Sequence, residues 1–87
     1  MNVYEIIPNN SRKSFYGKAL VFEANGKKIL KSYETFVAFI DEKGKLHRTW
    51  NSYSLTTLRH IQAFFGKGIS KKDWLEMDVE SVPNFYN

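Results

Sequence analysis

Between Ser14 and Trp50 the apolar residues come in short β-favouring runs separated by turn signals. That spacing predicts strands, not a helix. Ser14–Ala24 reads as one strand, with Phe15, Gly17, Ala19 and Val21 on one face and Tyr16, Lys18, Leu20 and Phe22 on the other. Gly17 inside a strand signals a bulge or a close backbone approach, so the alternation leaves open which face is buried. Asn25-Gly26 predicts a tight hairpin, and Lys28–Tyr33 is the returning strand. Thr35–Asp41 follows, then a Glu42-Lys43-Gly44-Lys45 turn and a strand over Leu46–Trp50. Val3, Tyr4, Ile6 and Ile7 allow one more short strand before the Pro8–Ser11 turn cluster.

After Tyr53 the period changes. Leu55, Leu58, Ile61, Phe64 and Phe65 recur at three and four residues, which is one face of a helix. Ser54 is its N-cap candidate, and Gly66 or Gly68 its stop. Ser70-Lys71-Lys72-Asp73 has the form of a capping box and opens a short helical turn carrying Trp74 and Leu75. Strands followed by a helix predict an α+β fold: a small antiparallel β-meander of three to four strands covered by one amphipathic C-terminal helix, plus a short extra helical turn. Residues 1–13 are expected to be irregular, 14–76 to form the single domain, and 77–87 to be an acidic, partly disordered tail.

Composition narrows this picture without changing it. The 87 residues contain no cysteine, 43% hydrophobic and 16% aromatic residues, so one apolar core must hold the domain without disulfides. Thiol nucleophiles and cysteine-based metal sites are excluded. The Met1–Pro8 run lacks the basic start and apolar core of a secretory signal, and no window approaches a membrane span. A cytoplasmic protein without membrane partners is expected.

Charge is unevenly placed. Ser11–Lys72 holds all 13 basic residues and four acids, a balance of +9, whereas Asp73 onward holds four acids and no base. A basic body with an acidic tail fits a polyanion partner, or simply a solvated surface. The basic residues interleave with aromatics, and a sheet with one face under a helix leaves the other free for phosphates and bases. Arg12, Tyr16, Lys18, Lys28, Lys31, Lys45, Arg48 and Arg59 are the candidate nucleic-acid-binding residues. Lys45 and Arg48 are taken as surface groups. Leu20 and Phe22 share a face with Tyr16 and Lys18, and an exposed apolar strip there fits a protein contact instead.

Catalytic motifs are absent. His47 and His60 stand in no metal-ligand spacing, and His60 is expected to lie off the core face beside Arg59. Ser54, Thr56 and Thr57 are explained by helix capping. Asp41-Glu42 falls in a turn and is expected to be solvated. No enzyme, cofactor or metal is expected.

Several short motifs recur together: Arg12-Lys13-Ser14-Phe15-Tyr16-Gly17-Lys18-Ala19, Ser32-Tyr33-x-Thr35, Ile40-Asp41, Arg48-x-Trp50, Tyr53-Ser54-x-Thr56-Thr57-x-Arg59-His60-Ile61, and Trp74. In order and spacing they resemble a group of small proteins from phages and mobile elements of Gram-positive bacteria, over residues 11–76. The acidic run after Trp74 departs from that group. The resemblance implies a mobile-element accessory protein and supplies no site residue. The reading is a non-enzymatic nucleic-acid-binding protein, with DNA as the expected ligand. The alternative is a module that binds a host protein, as a monomer or a homodimer.

Overall fold

The computed structural model describes residues 2–6 and 18–83. Five strands form one antiparallel sheet in sequence order: β1 (Asn2–Glu5), β2 (Ala19–Ala24), β3 (Lys27–Ser32), β4 (Thr35–Ile40) and β5 (Leu46–Arg48). Helix α1 (Leu55–Phe65) and the shorter α2 (Lys71–Glu76) follow. The α+β class and the meander are as expected, but the sheet has five strands where three to four were predicted. The extra strand is β1, whose Val3 and Tyr4 pair with Phe22 and Val21. It contains too few apolar residues to stand out as a strand by itself. At the other end, the Arg48 and Val79 backbones bridge in parallel, so part of the acidic segment lies along β5. No helix among the described residues is long and apolar enough to cross a membrane.

The register sets two faces. Tyr4, Val21, Leu30, Ala38 and Arg48 form one row across the sheet, and Val3, Phe22, Ile29, Phe39 and His47 form the adjacent row on the opposite face. The first face meets the helices. Its core joins Ala19, Val21, Leu30 and Leu46 to Leu58 and Ile61 of α1, Ile69, and Trp74 of α2. A bulge on β4 explains why the sequence alternation fails there. Leu30 pairs with Ala38 but Lys31 pairs with Phe36, leaving Val37 as the extra residue. Val37 and Ala38 therefore both reach the core, while Phe36 and Phe39 go to the other face. The Val37 carbonyl accepts from both Thr49 N and Trp50 N.

Local chemistry fixes the element ends. Ser54 Oγ accepts from Thr57 N at 3.0 Å, and Gly66 adopts φ 75° while donating to Gln62 O. Ser70 and Asp73 form the reciprocal capping box of α2. Leu55, placed on the apolar stripe by its spacing, is instead exposed at the first turn. The Asn25-Gly26 hairpin has positive φ at both residues, 55° and 77°, as a two-residue turn of this kind demands. A Cβ on Gly26 would sit 2.9 Å from Glu42 Cγ, the residue that pairs with Lys27. Gly26→Ala should therefore cost about 1–2 kcal/mol, read as a lower urea midpoint at unchanged slope.

Candidate nucleic-acid interface

Among the described residues, neither helix covers the sheet face that carries Phe22, Ile29 and Phe39. Its central row runs from Val3, 52% exposed, through Phe22 and Ile29 to Phe39 and His47. The neighbouring row is Glu5, Leu20, Lys31 and Phe36. Phe22 and Phe36 meet edge to face with centroids 5.5 Å apart, and the His47 ring stacks on Phe39 at 4.4 Å. Ile29 is fully buried, so this face has a small apolar floor of its own. Lys27 and Lys31 lie on the same face along β3. Among the described residues each makes a long ion pair, Lys27 with Glu42 at 3.7 Å and Lys31 with Glu34 at 3.8 Å. Pairs so exposed hold little energy, so both ammonium groups remain available to a stronger anion.

The turn between β3 and β4 borders this face. Tyr33 has φ 55°, donates its backbone N–H to Lys18 O at 2.7 Å, and holds its ring 5.6 Å from the Lys18 ammonium. The chain leaves β1 at Ile6 and returns at Lys18 on this same sheet end, where Ile6 N donates to Ala19 O.

Beneath Tyr33 lies a buried polar cluster. His60 Nδ1 is 2.7 Å from Ser32 Oγ, which is 3.1 Å from Thr57 Oγ1. His60 is 1% exposed, not off the core face as its place beside Arg59 suggested. At its position on α1 the helix faces Ser32 of β3, which gives the ring a polar partner inside the core. Burial lowers its pKa. A serine–histidine contact of this length is the geometry of an activated nucleophile, but Ser32 is as buried as the core, so no substrate carbonyl reaches Oγ.

His47 has the opposite environment. Its Nε2 lies 2.7 Å from Asp41 Oδ2 and its Nδ1 2.6 Å from Glu80 Oε2. Both carboxylates accept, and only the protonated ring donates from both nitrogens. The hydrogen bond to Asp41 raises the His47 pKa, with Glu80 adding to it and burial opposing it. Asp41 is not a freely solvated turn residue. It accepts from His47 and from the Lys43 and Lys45 backbone N–H groups, which hold its pKa down at about 2.

The structure separates the predicted site residues. Lys31 lies on the open face between Leu20 and Phe36, and Lys18 lies by the Tyr33 ring at the sheet end. Lys28 is at the far end of β3, 4.0 Å from Glu23, and Lys45 is exposed in the β4–β5 turn. Arg59 is exposed on α1, away from the open face. Arg12 and Tyr16 lie outside the described residues. Arg48 is corrected outright: it is 5% exposed and faces the core, not solvent. Its Nε donates to Trp50 O at 2.8 Å, and Nη1 reaches the carbonyls of Trp74, Leu75 and Met77. The guanidinium also stacks 5.0 Å from the Trp74 ring. The carbonyls at the end of α2 and of Trp50 take the place of phosphates. Lys27 and Tyr33 fall in the interleaved basic and aromatic residues of the sequence but, like Phe36, are not among its eight candidates. The bulge hid Phe36, whereas Tyr33 stood between two strand runs where glycine or asparagine is usual.

A sheet of five antiparallel strands with both helices on one face and rings and lysines on the other defines a small α+β protein with one open sheet face. The chain belongs to the family of unknown function DUF8033, whose model matches residues 1–81. No curated protein and no solved structure matches it.

Proposed function

We propose that this protein is a non-enzymatic nucleic-acid-binding protein that uses the open sheet face and its Tyr33 border, acting as an accessory of a phage or mobile element. One observation carries the reading: Phe22 and Phe36 stand half-exposed beside Lys27 and Lys31, so rings and cations alternate on one surface. Rings offer stacking surface to bases, and ammonium groups neutralise phosphates. The test is fluorescence anisotropy with labelled single- and double-stranded DNA at about 50 and 200 mM salt. Binding should weaken steeply with salt. Lys27→Ala with Lys31→Ala should weaken it about tenfold and flatten the salt slope by the loss of two phosphate contacts. The double variant should stay within about 1 kcal/mol of wild-type stability, since both pairs are long and end on exposed carboxylates. No binding at low salt would sink the proposal.

The same surface supports a second reading. Val3, Leu20, Phe22 and Phe36 form a continuous apolar strip ending at β1, an edge strand that is exposed along its length. A protein partner, including a second copy pairing at β1, would use that strip with weak salt dependence.

A further inference from the structure

Tyr33 is an unusual choice for its position. The Tyr33-Glu34 turn joins β3 to β4 between the paired Ser32 and Thr35, and Tyr33 takes φ 55°. An L side chain in the left-handed region is strained, and glycine or asparagine relieves that strain. A bulky aromatic there needs a reason beyond the turn. Packing over His60 accounts for one side of the ring only, and Tyr33 keeps 46% of its surface exposed. Its ring is nonetheless held in place. It lies 5.7 Å from the His60 ring, which Ser32 fixes in turn, and 5.6 Å from the Lys18 ammonium. Lys31 is two residues away, tied only to Glu34, whose side chain is 94% exposed.

We infer that Tyr33 is a base-stacking platform and that the preferred ligand is single-stranded nucleic acid. The inference rests on the proposed nucleic-acid reading and adds the strand state and the residue that selects it. A base seats on the exposed ring, and Lys18 moves from the ring to the adjoining phosphate. A duplex cannot use this site, because its base faces are already stacked on each other. Selection of single strands over duplex follows from the ring. General affinity follows from the lysines.

Tyr33→Asn separates strain from function. Asparagine tolerates the left-handed conformation, so the melting temperature should not fall. Affinity for an oligothymidine of about 15 nucleotides should drop about tenfold, a typical loss for one stacked base. Duplex affinity should not change, and Tyr33→Phe should bind as the wild type does. In the wild type, adding oligothymidine should move the Tyr33 ring-proton resonances upfield, a readout that does not depend on how any variant folds. If Tyr33→Asn binds oligothymidine normally, or the ring resonances stay put while binding proceeds, the platform is overturned. Loss of salt-dependent binding on replacing Lys27 and Lys31 would then still uphold the nucleic-acid reading. If the wild type binds neither DNA form, both fall together.

Discussion

Arg48→Ala should destabilise the protein by about 3–5 kcal/mol, because several charge-assisted hydrogen bonds, each worth about 1.5–3 kcal/mol, are lost together with the packing on Trp74. The guanidinium is the only side chain tying β5 to the carbonyls of Trp74, Leu75 and Met77 among the described residues. Those carbonyls close α2, where the helix dipole is negative and a cation is favoured. Removing the donor takes away these charge-assisted bonds, leaves Trp74 O with Met77 N alone, and strips the stacking partner from Trp74, which is itself 1% exposed and donates to Ser52 O. A chain of this length has total stability on the order of 4–13 kcal/mol, so the variant should lose about 15 °C or more in melting temperature and approach unfolding at 37 °C. Arg48→Lys keeps the charge but has one nitrogen for acceptors that lie on two sides, so it should fall between alanine and wild type. A urea midpoint for Arg48→Ala within error of the wild type would refute the buried role. It also follows that lost nucleic-acid binding in this variant reports unfolding and not a missing phosphate contact.

Arg48 shows why fold and site differ in legibility. The period of the apolar residues located β2 to β5 and α1, because burial on one face imposes a spacing of two or three to four. The capping residues Ser54, Ser70 and Asp73 marked both helix starts because they satisfy backbone groups locally. No comparable rule reads an arginine. The alternation of Leu46, His47 and Arg48 assigns a face, but only the position of α2 tells whether that face meets water or carbonyls. His60 was misplaced for the same reason: its polar partner Ser32 comes from a strand 28 residues earlier. Phe36 shares a face with Phe39 because one residue is inserted in β4 opposite Leu30 and Lys31, and such an insertion has no mark in composition. Tyr33 was readable in principle, since an aromatic in a two-residue turn breaks the local rule for that turn.

Stability should peak near pH 6.5 and fall on both sides, with a different histidine responsible for each limb. His60 is buried and its pKa lies below the ordinary value of 6.5, with desolvation the cause. Its contribution is present above 6.5 and is lost as pH falls through its folded value, because the unfolded chain takes up the proton first. Charging a ring that is 1% exposed, with its Nδ1 held at Ser32 Oγ, carries a large desolvation penalty. His47 behaves in reverse. Its pKa is raised, chiefly by the hydrogen bond to Asp41, so its contribution is complete below 6.5 and is lost as pH rises through the folded value. Asp41 adds a second acid step. Held down at about 2, it stabilises the fold above its ordinary 3.8 and ceases to do so only as pH falls through that low value. Thermal melts from about pH 4.5 to 9 avoid that step and isolate the histidines. His47→Gln should flatten the alkaline limb, and His60→Gln the acid limb, each leaving the other intact. The alkaline limb also has a local readout. Neutral His47 satisfies one carboxylate only, so the Glu80 backbone N–H, which donates to Arg48 O at 2.7 Å, should lose hydrogen-exchange protection before the strands do. A profile unchanged by either substitution, or Glu80 protection that tracks global unfolding at every pH, would remove the two histidines as the source of the dome.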